Sequence, residues 1–255
     1  KELGRLSVVA KNTAIVYFPD KKGELIAFQV FEAPVMSPEL SLKFPTIKSY
    51  AGHSVIDQKA RIRFSVSQKG IQSMIVHTDH NEVAFMQKDS ENNYVVYSRD
   101  PNANRNADFI CSTKAIAEEN IGGLTQRVVD DQVLRKFRLA ITASGEYTAF
   151  HGGTVADALA AINATVTRIN QVFETDLSIT FELVPGLEQV IYTDAETDPY
   201  SGSLSAKVQN TLDNTLGSAN YDIGILFNQA SQSDGNAGFI GSVCTDGRKG
   251  SAYAT

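Results

Sequence analysis

Apolar and polar positions alternate with a period of two along much of the first half of the chain. Residues 14–18 form an apolar run that stops at Pro19-Asp20-Lys21-Lys22-Gly23, a hairpin-like loop. Residues 24–31 then alternate, with Leu25, Ala27, Gln29 and Phe31 on one face and Ile26, Phe28 and Val30 on the other. Residues 61–67 do the same: Ile62, Phe64 and Val66 face one way, Arg61, Arg63 and Ser65 the other. This predicts antiparallel strands with one buried and one solvated face. Residues 71–77, 83–87 and 94–98 continue the series. Asp100-Pro101-Asn102-Ala103-Asn104-Arg105-Asn106-Ala107 has no periodicity and predicts an exposed, mobile linker.

The period changes beyond residue 136. Residues 137–143 predict a short strand. Thr154 is a good N-cap with Asp157 three positions on. From there Val155, Leu159, Ile162, Val166, Ile169 and Phe173 recur at spacings of three or four, predicting a long amphipathic helix. Residues 177–184 predict a strand ending before Pro185-Gly186, 207–216 a second helix, and 222–227 an apolar strand. Strand–helix–strand–helix–strand implies a parallel sheet with crossover helices.

Charge sharpens the division. Residues 1–130 hold 16 Lys+Arg and 15 Asp+Glu, whereas residues 131–255 hold 7 and 14. Two domains of opposite surface character are expected. The net charge of -6 over 255 residues argues against a nucleic-acid or anionic-membrane partner. No run approaches the roughly 18 apolar residues of a membrane span. Lys1 opens directly into polar sequence, as expected of a processed chain.

Chemistry-bearing residues are sparse. The four histidines fit no local metal site, and no H-E-x-x-H, CxxC, P-loop or GxSxG occurs. His77 and His80 are read as solvated turn residues, His53 as a loop residue, and His151 as a helix-entry residue. The acidic run Asp194-Ala195-Glu196-Thr197-Asp198-Pro199-Tyr200 lacks EF-hand spacing and reads as a solvated loop. Asn163-Ala164-Thr165 matches a glycosylation sequon but falls mid-helix. Glycines at 235, 238, 241, 247 and 250 beside Phe239, Ile240 and Val243 suit an edge strand closely approached by another chain, which is one way a peptide substrate binds. Two readings stand for Cys111: a structural residue, with a Cys111–Cys244 disulfide the obvious pairing, or a thiolate metal ligand offered to a neighbouring active site.

Several ordered segments resemble bacterial reprolysin-like (adamalysin-like) zinc metalloproteases of the metzincin group. The stretch Leu134-Arg135-Lys136-Phe137-Arg138-Leu139-Ala140-Ile141-Thr142-Ala143-Ser144-Gly145-Glu146-Tyr147, with Phe150-His151-Gly152-Gly153-Thr154, is similar to the start of their catalytic domain. Ile191-Tyr192-Thr193-Asp194-Ala195, Asp198-Pro199-Tyr200, Ala219-Asn220-Tyr221-Asp222-Ile223-Gly224 and Gly238-Phe239-Ile240-Gly241-Ser242-Val243-Cys244 follow in order. Val30-Phe31-Glu32-Ala33-Pro34-Val35-Met36, Pro38-Glu39-Leu40, Lys43-Phe44-Pro45 and Ala60-Arg61-Ile62-Arg63-Phe64 resemble the pro-region of these enzymes.

The resemblance implies a secreted proenzyme of α+β fold. An antiparallel β pro-domain over 1–113 would precede a linker and activation region over 114–136. The upper, N-terminal part of a metzincin-like α/β catalytic domain would then occupy 137–255. It implies a zinc endopeptidase acting on protein or peptide substrates, whose zinc helix lies beyond Thr255. This chain alone would then be inactive, with the remaining part of the catalytic domain as its partner. Phe239, Ile240, Gly241, Ser242, Val243, Ser251, Ala252 and Tyr253 become candidates for the rim of the substrate cleft. Arg127, Arg135 and Lys136 become candidate activation sites. Cys111 becomes an inhibitory zinc ligand, and Cys244 pairs with a cysteine beyond Thr255. Asp222 matches the aspartate of a calcium site in some relatives, but Arg138 replaces the partner acid, which argues against calcium there. The alternative is a non-catalytic binding or inhibitor module with a Cys111–Cys244 disulfide.

Overall fold

The computed structural model describes residues 12–57, 59–79, 82–98, 114–115, 133–231 and 234–255. The predicted linker over 100–107, Cys111, Arg127 and His80 lie outside them.

The first half is a seven-stranded antiparallel meander. Its strands are β1 (Thr13–Pro19), β2 (Leu25–Glu32), β3 (Lys48–Ser54), β4 (Ala60–Ser67), β5 (Gly70–His77), β6 (Glu82–Lys88) and β7 (Tyr94–Ser98), hydrogen-bonded in chain order. The sheet curls. Phe18 of β1 and Phe64 of β4 have ring centroids 4.8 Å apart, whereas three strand spacings in a flat sheet would separate them by roughly 14 Å. The curl buries Phe18, Phe28, Val30, Ile62, Phe64, Ile75 and Met86 in one cluster, the face predicted to be apolar.

The opposite face departs from expectation. Arg63 and Ser65 are buried rather than solvated, at 6% and 4% exposure. The reason is tertiary: the long helix of the second half lies across this face. His53 belongs to β3, directly opposite Arg61, and not to a loop. His77 ends β5, and its ring sits 3.6 Å from the Asp57 carboxylate.

Between β2 and β3 the chain leaves the sheet. Ser37 caps α1 (Pro38–Lys43), accepting a hydrogen bond from the Leu40 amide, with Pro38 pre-set for a helix start.

The second half is built on a five-stranded sheet. After β8 (Lys114–Ala115) come β9 (Arg135–Ala143), α2 (Gly145–Phe150), α3 (Val155–Asp176), β10 (Ile179–Leu183), α4 (Leu204–Thr215), β11 (Ile223–Phe227), β12 (Gly235–Asn236), β13 (Phe239–Ile240) and β14 (Ala252–Ala254). The order is β10-β9-β11-β14-β12; the first four are parallel and β12 is antiparallel to β14. The whole is α+β, as expected. Thr154 caps α3 through the Asp157 amide, as its sequence position predicts. The strand predicted to begin at 177 starts at 179, because Leu177 closes α3 and Ser178 takes a left-handed backbone with φ +54°.

The α3 helix is buried on two sides. Leu159, Ile162 and Val166 enter the core of the second half. Asn163, Thr167 and Gln171, spaced by four, form a polar stripe that is also buried. The Ser49 hydroxyl of β3 meets Thr167 Oγ1 at 2.9 Å and accepts from Asn163 Nδ2 at 3.0 Å. Arg63 pairs with Glu174, and the Arg168 guanidinium lies over the Phe85 ring at 5.4 Å. Asn163 is thus an interior residue, which removes the sequon as a surface site.

The two halves also share apolar packing. Val35, Met36, Leu40 and Ile47 from the β2–β3 connection join the core of the second half. Residues 35–37 run beside β10: the Leu183 amide donates to the Val35 carbonyl at 2.6 Å and the Ser37 amide to the Leu183 carbonyl at 2.9 Å. Two residues back along the same edge, the Asn170 side chain accepts from the Phe181 amide and donates to its carbonyl, both at 2.9 Å. The open edge of β10 is satisfied by a neighbouring segment and a side chain, which removes an aggregation hazard. The expected domains therefore meet through a common core rather than a solvated gap.

Leu40 is fully buried. Leu40→Ala is expected to destabilise the chain by about 2–5 kcal/mol, measured as a lower urea midpoint. A change below about 1 kcal/mol would show that the connection is not part of the core.

Candidate functional site

The predicted rim residues converge at one end of the five-stranded sheet. Phe239 and Ile240 form β13 and are exposed, as is Val243. The β14 strand lies beneath, with Ala252 and Tyr253 half-buried and paired to Ile225 and Leu226 of β11. Gly238 and Gly241 take left-handed backbones, φ +75° and +78°. A side chain on Gly238 would also collide with Ser251 Oγ, so this turn needs glycine. Ser251 is buried and donates to the Arg248 carbonyl at 2.7 Å. It supports the rim from below rather than lining it.

The exposed backbone of β13 is taken up by β8. Lys114 and Ala115 run parallel to it, in register with Phe239 and Ile240. The edge strand is therefore already occupied by a segment from the predicted activation region, as an added strand.

Beneath the rim sits a buried polar network that no sequence motif announces. Tyr221 is fully buried, and its hydroxyl donates to Asp213 at 2.6 Å and accepts from Gln209 at 2.9 Å. Burial, followed by the adjacent Asp213 carboxylate, raises the Tyr221 pKa. Gln209 Oε1 then accepts from the Gly250 amide at 2.7 Å. A Cβ on Gly250 would stand 2.6 Å from the Tyr221 hydroxyl. The Lys249 ammonium lies 4.9 Å from the Tyr221 ring centroid and 2.8 Å from Asp246. Gln209 and Asp213 are i, i+4 on α4, the one available sequence signal, and it reads equally as a surface pair.

Asp222 is held by Arg138. The guanidinium reaches both carboxylate oxygens, with the shortest contact 2.7 Å, and the Arg138 amide adds a further bond at 2.8 Å. The side-chain bond from Arg138 is the largest influence holding the Asp222 pKa below its ordinary value. A guanidinium occupies the place a cation would take. The Asp222 carbonyl accepts from the Cys244 amide at 2.9 Å, which ties the rim to β11. Cys244 itself is exposed with a free thiol and a left-handed backbone, φ +59°.

Other expected site residues lie apart. Arg135 and Lys136 sit inside β9, in register with Ile179 and Thr180, and Lys136 pairs with Glu182 at 2.6 Å. The acidic loop is only partly solvated. Asp198 accepts from the Gly145 amide and the Tyr200 amide, each at 2.8 Å. Asp194 accepts from the Glu196 amide and the Thr197 hydroxyl, each at 3.0 Å. His151 closes α2, with its ring 4.3 Å from that of Tyr147. Burial first, then nearby Lys69, lowers the His151 pKa. Among the described residues no group of three or more His, Cys, Asp and Glu side chains can hold a metal ion. The described residues do not form a zinc site. No helix among them is long and apolar enough to cross a membrane.

Residues 133–255 match the metallo-peptidase family M12B, reprolysin-like. This part of the chain is a reprolysin-like metzincin domain. The match begins where β9 is about to start and does not extend into the curled sheet. No curated protein matches the chain.

Two outcomes test the network. Tyr221→Phe removes one hydrogen-bond partner from buried Gln209 and from part-buried Asp213 and is expected to cost about 1–3 kcal/mol of stability, read from denaturant midpoints. For Asp222, a carboxyl whose folded pKa is depressed stabilises the fold above its unfolded pKa of about 3.9, and this is lost as pH falls through the lower folded value. The stability gap between wild type and Asp222→Asn should therefore be widest near neutral pH and shrink below about pH 4. A gap that does not change between pH 6 and pH 3 would count against the pairing.

Proposed function

We propose that this chain belongs to a secreted, latent zinc metalloendopeptidase, in which the segment around β8 keeps the peptide-binding rim closed. One observation carries the reading: β8 lies along β13 as an added strand, where an extended peptide substrate would add. The occupant comes from the chain itself, so substrate and β8 compete for one backbone edge. The exposed side chains of Phe239, Ile240 and Val243 offer an apolar surface to a substrate strand.

Cys111 precedes Lys114 by three residues, and three residues of chain reach at most about 11 Å. This proximity supports Cys111 as the thiolate that would occupy zinc in the latent enzyme. The remaining zinc ligands would come from residues outside those described. Arg127 is the favoured activation site, because Arg135 and Lys136 are held in the β9 ladder.

The test compares peptide hydrolysis by the zinc-loaded, full-length proenzyme before any cut. Cys111→Ala and Ala115→Pro should each raise this activity about tenfold or more, the equivalent of roughly 1.4 kcal/mol. Proline cannot donate to a strand ladder. Latency unchanged in Ala115→Pro would remove β8 from the role; latency unchanged in Cys111→Ala would remove the thiolate.

A further inference from the structure

We infer that the curled sheet is held on the metallopeptidase domain by a clip independent of the rim, so that cutting the connecting segment yields a tightly associated two-chain protein instead of a released pro-domain. The clip and the rim lie at opposite edges of the five-stranded sheet. Residues 35–37 flank β10 at one edge, whereas β8 engages β13 beside the β14–β12 edge. A cut between 98 and 133 breaks the covalent link between the halves and none of the clip contacts.

The clip has the character of an interior. Val35, Met36, Leu40 and Ile47 are each no more than 4% exposed and belong to the same cluster as Leu159, Leu183 and Leu187. Two backbone hydrogen bonds join Val35 and Ser37 to Leu183. Lys43 pairs with Glu188 at its outer end. Beside it, Ser49 meets Asn163 and Thr167, and the buried Arg63 side chain meets Glu174. Removing the sheet would expose this apolar surface and strand Asn163 and Thr167 without their partner. Apolar cores with matched buried polar groups characterise permanent interfaces, not transient ones. The edge of β10 would also open, leaving Leu183 unpaired. The inference stands on packing alone and does not require the metallopeptidase domain to be active.

The experiment places a recognition site for a sequence-specific protease between Asn120 and Ile121 and cuts the purified chain to completion. The two fragments should co-elute on size exclusion at the position of the uncut chain at low micromolar loading. The Leu183 and Ser37 amides should keep their hydrogen-exchange protection within about threefold, because their bonds are not broken. Leu40→Asp in the same cut chain should weaken association at least about tenfold, equivalent to roughly 1.4 kcal/mol. Separate elution or precipitation of the second fragment in the unmutated protein would overturn the inference. So would co-elution with Leu183 unprotected, or a Leu40→Asp chain that associates as tightly as the original. The unmutated reading is decisive even if Leu40→Asp fails to fold.

Discussion

The structure depends on the burial of α3 between two sheets. Its apolar stripe, Leu159, Ile162 and Val166, faces the parallel sheet. Its polar stripe, Asn163, Thr167 and Gln171, faces the curled sheet and is equally buried. A buried polar stripe is tolerable only when matched, since an unpartnered buried polar group costs about 1–3 kcal/mol. Ser49 supplies the match for Asn163 and Thr167 and Arg63 that for Glu174, while the Arg168 guanidinium lies over the Phe85 ring. The two halves thus complete one another chemically as well as sterically.

That dependence explains the arrangement at both edges of the parallel sheet. At the β10 edge, Asn170 and residues 35–37 occupy backbone groups that would otherwise be open. Near the other edge, β13 is paired by β8. Both are strand-addition contacts, and the first is reinforced by a hydrophobic core. The contact between β8 and β13 is two residues long.

Below the rim, the Tyr221–Gln209–Asp213 network and the Arg138–Asp222 pair hold the segment between β11 and β14. Their role is positional. Gly250 is fixed by Gln209, and Cys244 by the Asp222 carbonyl. The backbone around β13 is therefore set by buried polar groups, while the side chains of Phe239, Ile240 and Val243 are exposed.

The sequence by itself determined the local elements and the class of the second half. The apolar run at 14–18 became β1, period-two runs became β2 and β4 through β7, the Thr154 cap and period-3.6 stripe became α3, and the ordered motifs from Leu134 to Cys244 pointed to the reprolysin-like match. Alternation and capping are local properties, so they can be read along one strand or helix. Only the tertiary structure decided which polar faces were interior. Arg63 and Ser65 on β4, and Asn163 and Thr167 on α3, have the pattern of solvated faces, because polarity cannot distinguish water from a complementary polar partner. Nor could periodicity place Val35 and Met36 against Leu183, roughly 150 positions away, since strand addition is a backbone contact and leaves no signature in side-chain pattern.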